Sequence, residues 1–392
     1  MIDFKAQIGA RQAGWIARRR DLHQHPELAF QEARTARIVA DELARLGLEV
    51  QAGVGKTGVI GVLEGNADGP TVLVRADMDA LPILEENEVE YASQTPGVMH
   101  ACGHDGHTTI ALAVAEMLSE RRAQIAGRVK FVFQPAEEIG RGAEAMIQDG
   151  ALADPAPDVA LGLHLWNGMP VGLVTLVDGP MMASAGDFDI RIIGRGGHGA
   201  QPHEAQDPII AASQIVTALQ TIVSRNVDPT DVAVVSVTEI KAGDSFNVIP
   251  PVARLRGTIR AFDKGMIDLL GRRLREIAEG IAGALGCRAE IHVQHLTLPV
   301  VNAAEVNAQL RGVFTRLAPE VQIISDYKTM VAEDMSYFLD AVPGTFFFVG
   351  SANPDRDLDF PHHHPRFDFD EAAIPLAVEL MVAAVASYVL PG

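Results

Sequence analysis

Cysteine is scarce in this chain, basic charge is outnumbered and long apolar runs are missing, and each shortage closes off a class of protein. Two cysteines in 392 residues, Cys102 among histidines and Cys287 in an expected helix-to-strand turn, do not make a disulfide framework and suit a reducing compartment. With 32 Lys and Arg against 51 Asp and Glu, the formal charge is -19. Such a chain repels phosphate backbones and anionic membrane surfaces, so nucleic acid and membrane are both discounted as partners. Nowhere does an apolar stretch reach the roughly 18 uninterrupted residues of a membrane span. Even the stretch from Ala372 to Leu390 contains Pro375 and Glu379, and it predicts a buried or half-buried helix. The opening segment MIDFKAQIGARQAGWIARRR mixes charge with apolar residues and has no apolar signal region, so no signal peptide is expected and a soluble, cytoplasmic protein is.

What the chain does have is a hydrophobic content of 48%, enough for a large core, and a length that favours about two domains. From Thr57 to Trp166 short apolar runs (VIGVLEG, TVLVRAD, VKFVFQ and VALGLHLW) alternate with helical patterns over Asp105 to Arg122 and Arg141 to Asp149. That alternation predicts an α/β layer structure with a mainly parallel sheet. Ligands of open α/β sheets bind outside the carboxyl ends of the strands, which is where Asp77, Asp79, Glu137, Glu138 and His164 are expected. After about Ala183 the texture changes. DFDIRII and VARLRGTIR alternate apolar and charged residues, as half-exposed antiparallel strands do. With the intervening helices and strands they spell β-α-β-β-α-β, a ferredoxin-like α+β unit. The expected organisation is therefore a first part of the main domain over 1–182, an insertion over 183–296 and a second part over 297–392. The stretch from Asn353 to Pro365, rich in Pro, Asp and His, is expected as a loop.

Several segments could carry chemistry. MHACGHDGH puts Cys102 and His104 in a glycine-broken turn before a helix, and a thiolate with an imidazole suits a borderline or soft divalent ion. An incidental cysteine in a loop would look the same. PAEE follows an apolar strand that aims Glu137 and Glu138 inward, and adjacent carboxylates repel unless a cation or proton lies between them. One could bind metal while the other serves as general base, but spacing alone does not order them. His164 ends an otherwise apolar run and could equally be a satisfied core histidine. The triplet His362, His363 and His364 could be a surface turn. Taken together, these donors of S, N and O type exceed the needs of one tetrahedral ion and fit a two-metal site. In GRGGHGAQPH, glycines around His198 permit close backbone approach, and such a His could donate to a developing oxyanion. Asn247 and Arg260 add a polar donor and a guanidinium shaped for a carboxylate, although exposed arginines are common.

At this point the chain resembles the M20 metallopeptidases, and within them the amidohydrolase branch of hippurate hydrolases, N-acyl-amino-acid amidohydrolases and plant auxin-conjugate hydrolases. The likeness runs through DLHQHPELAFQE, VLVRADMDALP, MHACGHDGHTT, FQPAEE, GLHLW, GRGGHGAQPH, FNVIPPVARLRGTIR, AEDMSYFL and HHPRFDFDE. The resemblance implies two divalent metals, manganese or zinc with cobalt or nickel as alternatives, held by Cys102, His104, Glu138, His164 and His363. It implies Glu137 as the base and Asp79 as a carboxylate that orients a ligand. The position of Asp77 is usually a metal-binding His in the wider clan, and its replacement here favours the amidohydrolase branch. His198, Asn247 and Arg260 match residues that bind the substrate's carboxylate and oxyanion, with the His reaching in from a partner subunit. The inserted domain is then a lid and dimer interface, and a homodimer or higher homo-oligomer is implied. His362 departs from the family pattern, and His23, His25, His107 and His203 receive no ligand role. The implied activity is hydrolysis of the amide of N-acyl amino acids, hippurate-like or N-acetylated. An M20 dipeptidase or aminopeptidase, an N-acetyl-diaminopimelate deacetylase, and an inactive binding protein on the same scaffold are the rivals.

Overall fold

In a computed structural model, residues 4–390 are described, and they fall into two compact units. One runs to Gly179 and resumes over Val301–Tyr327 and from Asp334 onward, while the other comprises Pro180–Val300 and Lys328–Glu333.

The larger unit is built on an eight-stranded sheet. Its centre is four parallel strands in the order Ala126–Gln134, Ala67–Asp77, Val159–Pro170 and Gly344–Ala352. These strands are almost wholly buried along their central residues, as expected where helices cover both faces. The mainly parallel sheet expected from the alternation is therefore present. The run VIGVLEG departs from it: Gly58–Glu64 pairs antiparallel both with Glu49–Val54 and with Ala126–Gln134. The cause is local. Val54 and Gly58 pair directly across a short turn in which Gly55 and Lys56 both take positive φ, 61° and 81°, and so short a connection permits only antiparallel neighbours.

Helices Lys5–Gln24, His104–Ser119 and Ala373–Val389 join the core of this unit, with Val72, Phe131, Leu161 and Phe347 from the sheet. Ala373–Val389 is apolar nearly all round, the pattern of a helix enclosed on every side, and most of its residues are buried. Among the described residues no helix is long and apolar enough to cross a membrane.

The smaller unit follows the order strand Ser184–Ile193, helix Pro208–Asn226, strands Ala233–Ala242 and Val252–Ala261, helix Lys264–Ala284, strand Arg288–Thr297. The strands pair antiparallel in the sheet order Ala233–Ala242, Val252–Ala261, Ser184–Ile193, Arg288–Thr297, which is the split β-α-β arrangement. Val252–Ala261 alternates buried and exposed positions because one face packs on the two helices through Leu255, Ile190, Ile215, Leu219, Leu270 and Leu274. Both helices begin on an aspartate cap, Asp207 accepting from the Ile209 N–H and Asp263 from the Met266 N–H.

Candidate metal centre

Four segments of the larger unit deliver donor side chains, and three of them turn through a left-handed residue. Gly103, with φ 91°, separates Cys102 from His104, which is itself the first residue of its helix. Behind it Gly106 lies so near the neighbouring strand that a Cβ would stand 2.6 Å from Leu165 Cδ1, so glycine lets this helix approach the His164 strand with Leu165 and Phe369 undisplaced. After strand Ala126–Gln134, Ala136 turns at φ 54° and presents Glu137 and Glu138. His363 has φ 66° and gives its N–H to the Ala101 carbonyl at 2.8 Å. A non-glycine residue in this region costs roughly 1–3 kcal/mol, and such strain concentrates at functional sites.

His164 sits inside Val159–Pro170 rather than at its end. Its register explains why it still reaches the sheet's edge. Pairing with Ala67–Asp77 stops at Gly162 opposite Arg75, which leaves His164 level with Asp77, the last residue of that shorter strand.

The donors meet in overlapping groups. Ligand atoms of Cys102, His104 and His164 lie within 4.8 Å of one another, as do those of Cys102, Glu138 and His363, and those of His104, Glu137 and Glu138. Cys102 Sγ is 3.5 Å from His164 Nε2, and His363 Nε2 is 3.3 Å from Glu138. His104 Nε2 stands 3.9 Å from Glu138 Oε1 and 4.0 Å from Glu137 Oε2. Both imidazoles have their proton placed by a carbonyl, which only accepts. His104 Nδ1 donates to the Asp79 carbonyl at 2.8 Å and His164 Nδ1 to the Leu165 carbonyl at 2.6 Å, so a neutral ring keeps its lone pair on Nε2, facing the cluster.

Two atoms in this cluster are expensive as they stand. His104 Nε2 and Glu138 Oε1 are buried without a hydrogen-bond partner, a state that costs about 1–3 kcal/mol per group and more for a charge. A divalent cation satisfies both, and the donor set of thiol, imidazole and carboxylate is the one such ions choose. The residues present therefore fit a metal, and the two triads that share Cys102 offer donors for two.

Titration behaviour points the same way. Burial disfavours charge on His104, yet Asp77 and Asp79 reverse this and raise its pKa well above the ordinary imidazole value. His363 is pushed up to about 10 by hydrogen bonds with Cys102 and Glu138. Burial and the Glu138 charge raise the Cys102 thiol. His104 and His363 hold their protons against neighbouring acidic groups, and a metal would displace those protons, whereas burial and then the nearby His107 and His362 push His164 well below the ordinary imidazole value.

Asp79 touches two segments at once. Its carboxylate accepts the N–H of Glu137 at 3.0 Å and of Glu138 at 3.1 Å, while its backbone carbonyl orients His104. Asp77 contributes no free oxygen, since Arg75 holds one at 2.7 Å and His107 the other at 2.6 Å. The histidine triplet divides its labour. His362 Nε2 accepts the Asn167 N–H at 3.2 Å, His364 Nδ1 accepts the Arg366 N–H at 3.0 Å, and His363 alone faces Glu138. His23 is buried between Asp105 and Glu85, His25 bonds the Asp21 carbonyl, and His203 is exposed.

Four supporting residues receive no role from the sequence, although all four lie in the quoted motifs. Glu32 accepts the Ala136 N–H at 2.9 Å and the Thr57 hydroxyl, anchoring the acidic turn. Beneath it Arg75, Gln134 and Asp334 form a buried network, with Arg75 2.8 Å from Gln134 and 2.9 Å from Asp334. An acidic or basic residue inside an apolar run, such as Arg75 in VLVRAD, was the available signal.

His198, Asn247 and Arg260 belong to the smaller unit. His198 and Asn247 lie on adjacent segments: Val248 pairs with His198, and the Gly199 N–H bonds the Asn247 carbonyl at 2.8 Å. Both side chains are exposed, with His198 Nδ1 accepting the Ala200 N–H and Asn247 Oδ1 accepting the Ser245 hydroxyl. Arg260, half-buried, donates to Thr258 Oγ1 and to the Ile259 carbonyl at 3.0 Å, and burial lowers its pKa.

The profile of Peptidase family M20/M25/M40 matches residues 73–387. The N-acyl-L-amino acid amidohydrolase of Geobacillus stearothermophilus is 46% identical over 291 residues, covering 74% of this chain and 78% of that protein. N-acetylcysteine deacetylase of Bacillus subtilis (strain 168) is 40% identical over 369 residues, covering 92% and 93%. Among solved structures, the Bacillus subtilis YXEP protein, described as a dinuclear metal binding peptidase from the M20 family, superposes with a TM-score of 0.83 at 36% identity, over 96% of this chain and 99% of that one.

Proposed function

Because the chain belongs to peptidase family M20/M25/M40, we propose that it is a metal-dependent amidohydrolase that splits the amide of N-acyl amino acids into a carboxylic acid and a free amino acid. Cys102, His104, Glu138, His164 and His363 are the ligands of two divalent ions in this reading, manganese or zinc. The observation that carries it is the pair of buried, unpartnered atoms, His104 Nε2 and Glu138 Oε1, facing each other at 3.9 Å beside a thiol and further imidazoles. When bound, the ions would polarise the scissile carbonyl and acidify water, whose pKa falls from 15.7 to about 7 on such a centre.

The chain's own groups do the rest. Glu137, its backbone N–H gripped by Asp79, takes the water's proton and later passes it to the departing amine. Asp79 holds that carboxylate and His104 in register, so the base and one ligand move together. His198 and Asn247 stabilise the oxyanion, Arg260 pairs with the substrate's α-carboxylate, and the smaller unit mediates a homodimer. Support for an N-acyl amino acid substrate comes from the activities named for the Geobacillus and Bacillus relatives.

A panel of N-acetyl and N-benzoyl amino acids set against free dipeptides, with metal-stripped protein reloaded in turn with manganese, zinc, cobalt and nickel, tests this reading. Hydrolysis of acyl amino acids that disappears on stripping and returns on reloading is expected. A metal-replete preparation inactive on every acyl amino acid contradicts it.

A further inference from the structure

Behind His164 runs a line of hydrogen bonds in which every link has only one allowed direction. Arg75 is purely a donor, and its Nη1 meets Asp77 Oδ2 at 2.7 Å. The other Asp77 oxygen lies 2.6 Å from His107 Nδ1, which therefore carries the ring proton. His107 Nε2 is left with a lone pair, and it accepts the Leu165 N–H at 2.9 Å. A backbone N–H only donates, so this contact independently demands the same tautomer. The carbonyl of Leu165 then accepts from His164 Nδ1 at 2.6 Å, and His164 Nε2 is left facing Cys102 Sγ at 3.5 Å.

The start of the line is rigid. Arg75 also donates to Gln134 at 2.8 Å and to Asp334 at 2.9 Å, and all these side chains are buried. The Leu165 N–H needs such a partner. Its strand pairs with Ala67–Asp77 only as far as Gly162, so at Leu165, which is fully buried, His107 takes the place of the missing ladder partner. His107 thus anchors the backbone of residue 165 through its N–H, and the carbonyl of the same residue is held where His164 Nδ1 meets it at 2.6 Å.

We propose that Asp77 and His107, by anchoring the Leu165 N–H, hold residue 165 where its carbonyl takes the His164 Nδ1 proton and so keep Nε2 ready for metal, making Asp77 and His107 positioning residues of the centre. This rests on the reading of His164 as a ligand. It also gives Asp77 a task other than ligation: its oxygens are consumed in orienting an imidazole two links away.

The substitution Asp77→Asn reverses the link to His107. Arg75 still needs an acceptor, so the amide oxygen turns to Arg75 and the amide NH2 to His107. That histidine must then move its proton to Nε2, where it confronts the Leu165 N–H. His107→Leu removes both links, whereas His107→Gln offers one donor and one acceptor on neighbouring atoms and rescues the polarity.

The test is nitrogen NMR of metal-free protein labelled at histidine, combined with calorimetric titration of zinc and manganese. In the wild type, His107 and His164 are expected as Nδ1–H tautomers, and the protein binds metal. In Asp77→Asn and His107→Leu, affinity falls by about 10–100-fold, the range for loss of a ligand's supporting hydrogen bond, and His107→Gln recovers most of it. A wild-type His107 protonated at Nε2, or variants that bind metal as tightly as the wild type, overturns the proposal while leaving the ligand assignment standing. A wild type that binds no metal overturns the ligand assignment itself. The wild-type spectrum decides even if a variant folds poorly.

Discussion

In the larger unit, His104 and His164 are buried, and each has its proton pinned by a backbone carbonyl at 2.8 and 2.6 Å, whereas in the smaller unit His198 and Asn247 stand in solvent with single local hydrogen bonds. Under the proposed function, the difference reflects what each group would have to meet. A metal ion enforces bond lengths and angles, and a site that presets them avoids reorganisation when the ion arrives. Residues that grip a flexible substrate have no such requirement, because the substrate's arrival supplies the missing partner. On this view the metal half of the chemistry is carried by the folded chain alone, and the substrate half is completed by binding.

The sharpest way to break that contrast is at the base. Glu137→Gln keeps the size and the backbone bond to Asp79, so metal content is expected to stay unchanged while turnover drops by about 10²–10⁴-fold, the usual share of a general base. Steady-state hydrolysis of an N-acetyl amino acid beside elemental analysis reads both quantities, and near-normal turnover would remove Glu137 from the mechanism.

Next in size is the support of the buried half. His23 lies between Asp105, adjacent to His104, and Glu85, at 2.8 and 3.2 Å. Burial and Arg19 disfavour its charge, but those carboxylates prevail and hold its pKa at about 9 against 6.5. A group whose folded pKa is raised stabilises fully below the unfolded value and loses that contribution as pH rises through the folded one. On the order of 3 kcal/mol should therefore vanish between about pH 6.5 and 9. Urea unfolding at several pH values is expected to show the decline, and His23→Gln to flatten it.

Asp79→Asn is a smaller break. It exchanges an acceptor for a donor opposite the N–H of Glu137 or Glu138, now 3.0 and 3.1 Å away, and a 10–100-fold loss in metal affinity or activity is expected. Smallest is Arg260→Lys, which sacrifices the forked geometry but not the charge. It should raise KM roughly tenfold for substrates with a free α-carboxylate, on the scale of one charge-assisted hydrogen bond, and leave the matching carboxamides unaffected. Equal effects on both would detach Arg260 from the carboxylate.

How far the sequence could be read follows from which interactions are local. The parallel sheet was legible from alternation because strand burial and helix period are written in neighbouring residues. VIGVLEG was misplaced because its pairing depends on the positive φ of Gly55 and Lys56 in the turn before it, which an apolar run does not announce. His164 looked like the end of a strand because the apolar pattern stops near it, yet the strand continues to Pro170. The choice of His363 within the triplet came only through family likeness, since three adjacent histidines are chemically equal until a backbone turn at φ 66° separates them. Gln134, Arg75 and Asp334 escaped notice because their partners are remote. Gln134 and Asp334 are 200 residues apart, and Arg75 and Asp334 are 259 apart. Their hydrogen bonds exist only once the sheet is assembled.

In the proposed centre a thiol, three imidazoles and a carboxylate converge to hold two cations. Elemental analysis of reconstituted protein together with a crystal grown in zinc or manganese tests it directly. Two ions per chain are expected, with zinc about 2.3 Å from the Cys102 sulfur and about 2.0–2.1 Å from the His104, His164 and His363 nitrogens. A crystal in which the ions sit elsewhere, or in which His104 Nε2 and Glu138 Oε1 still face each other with no metal between them, would contradict it.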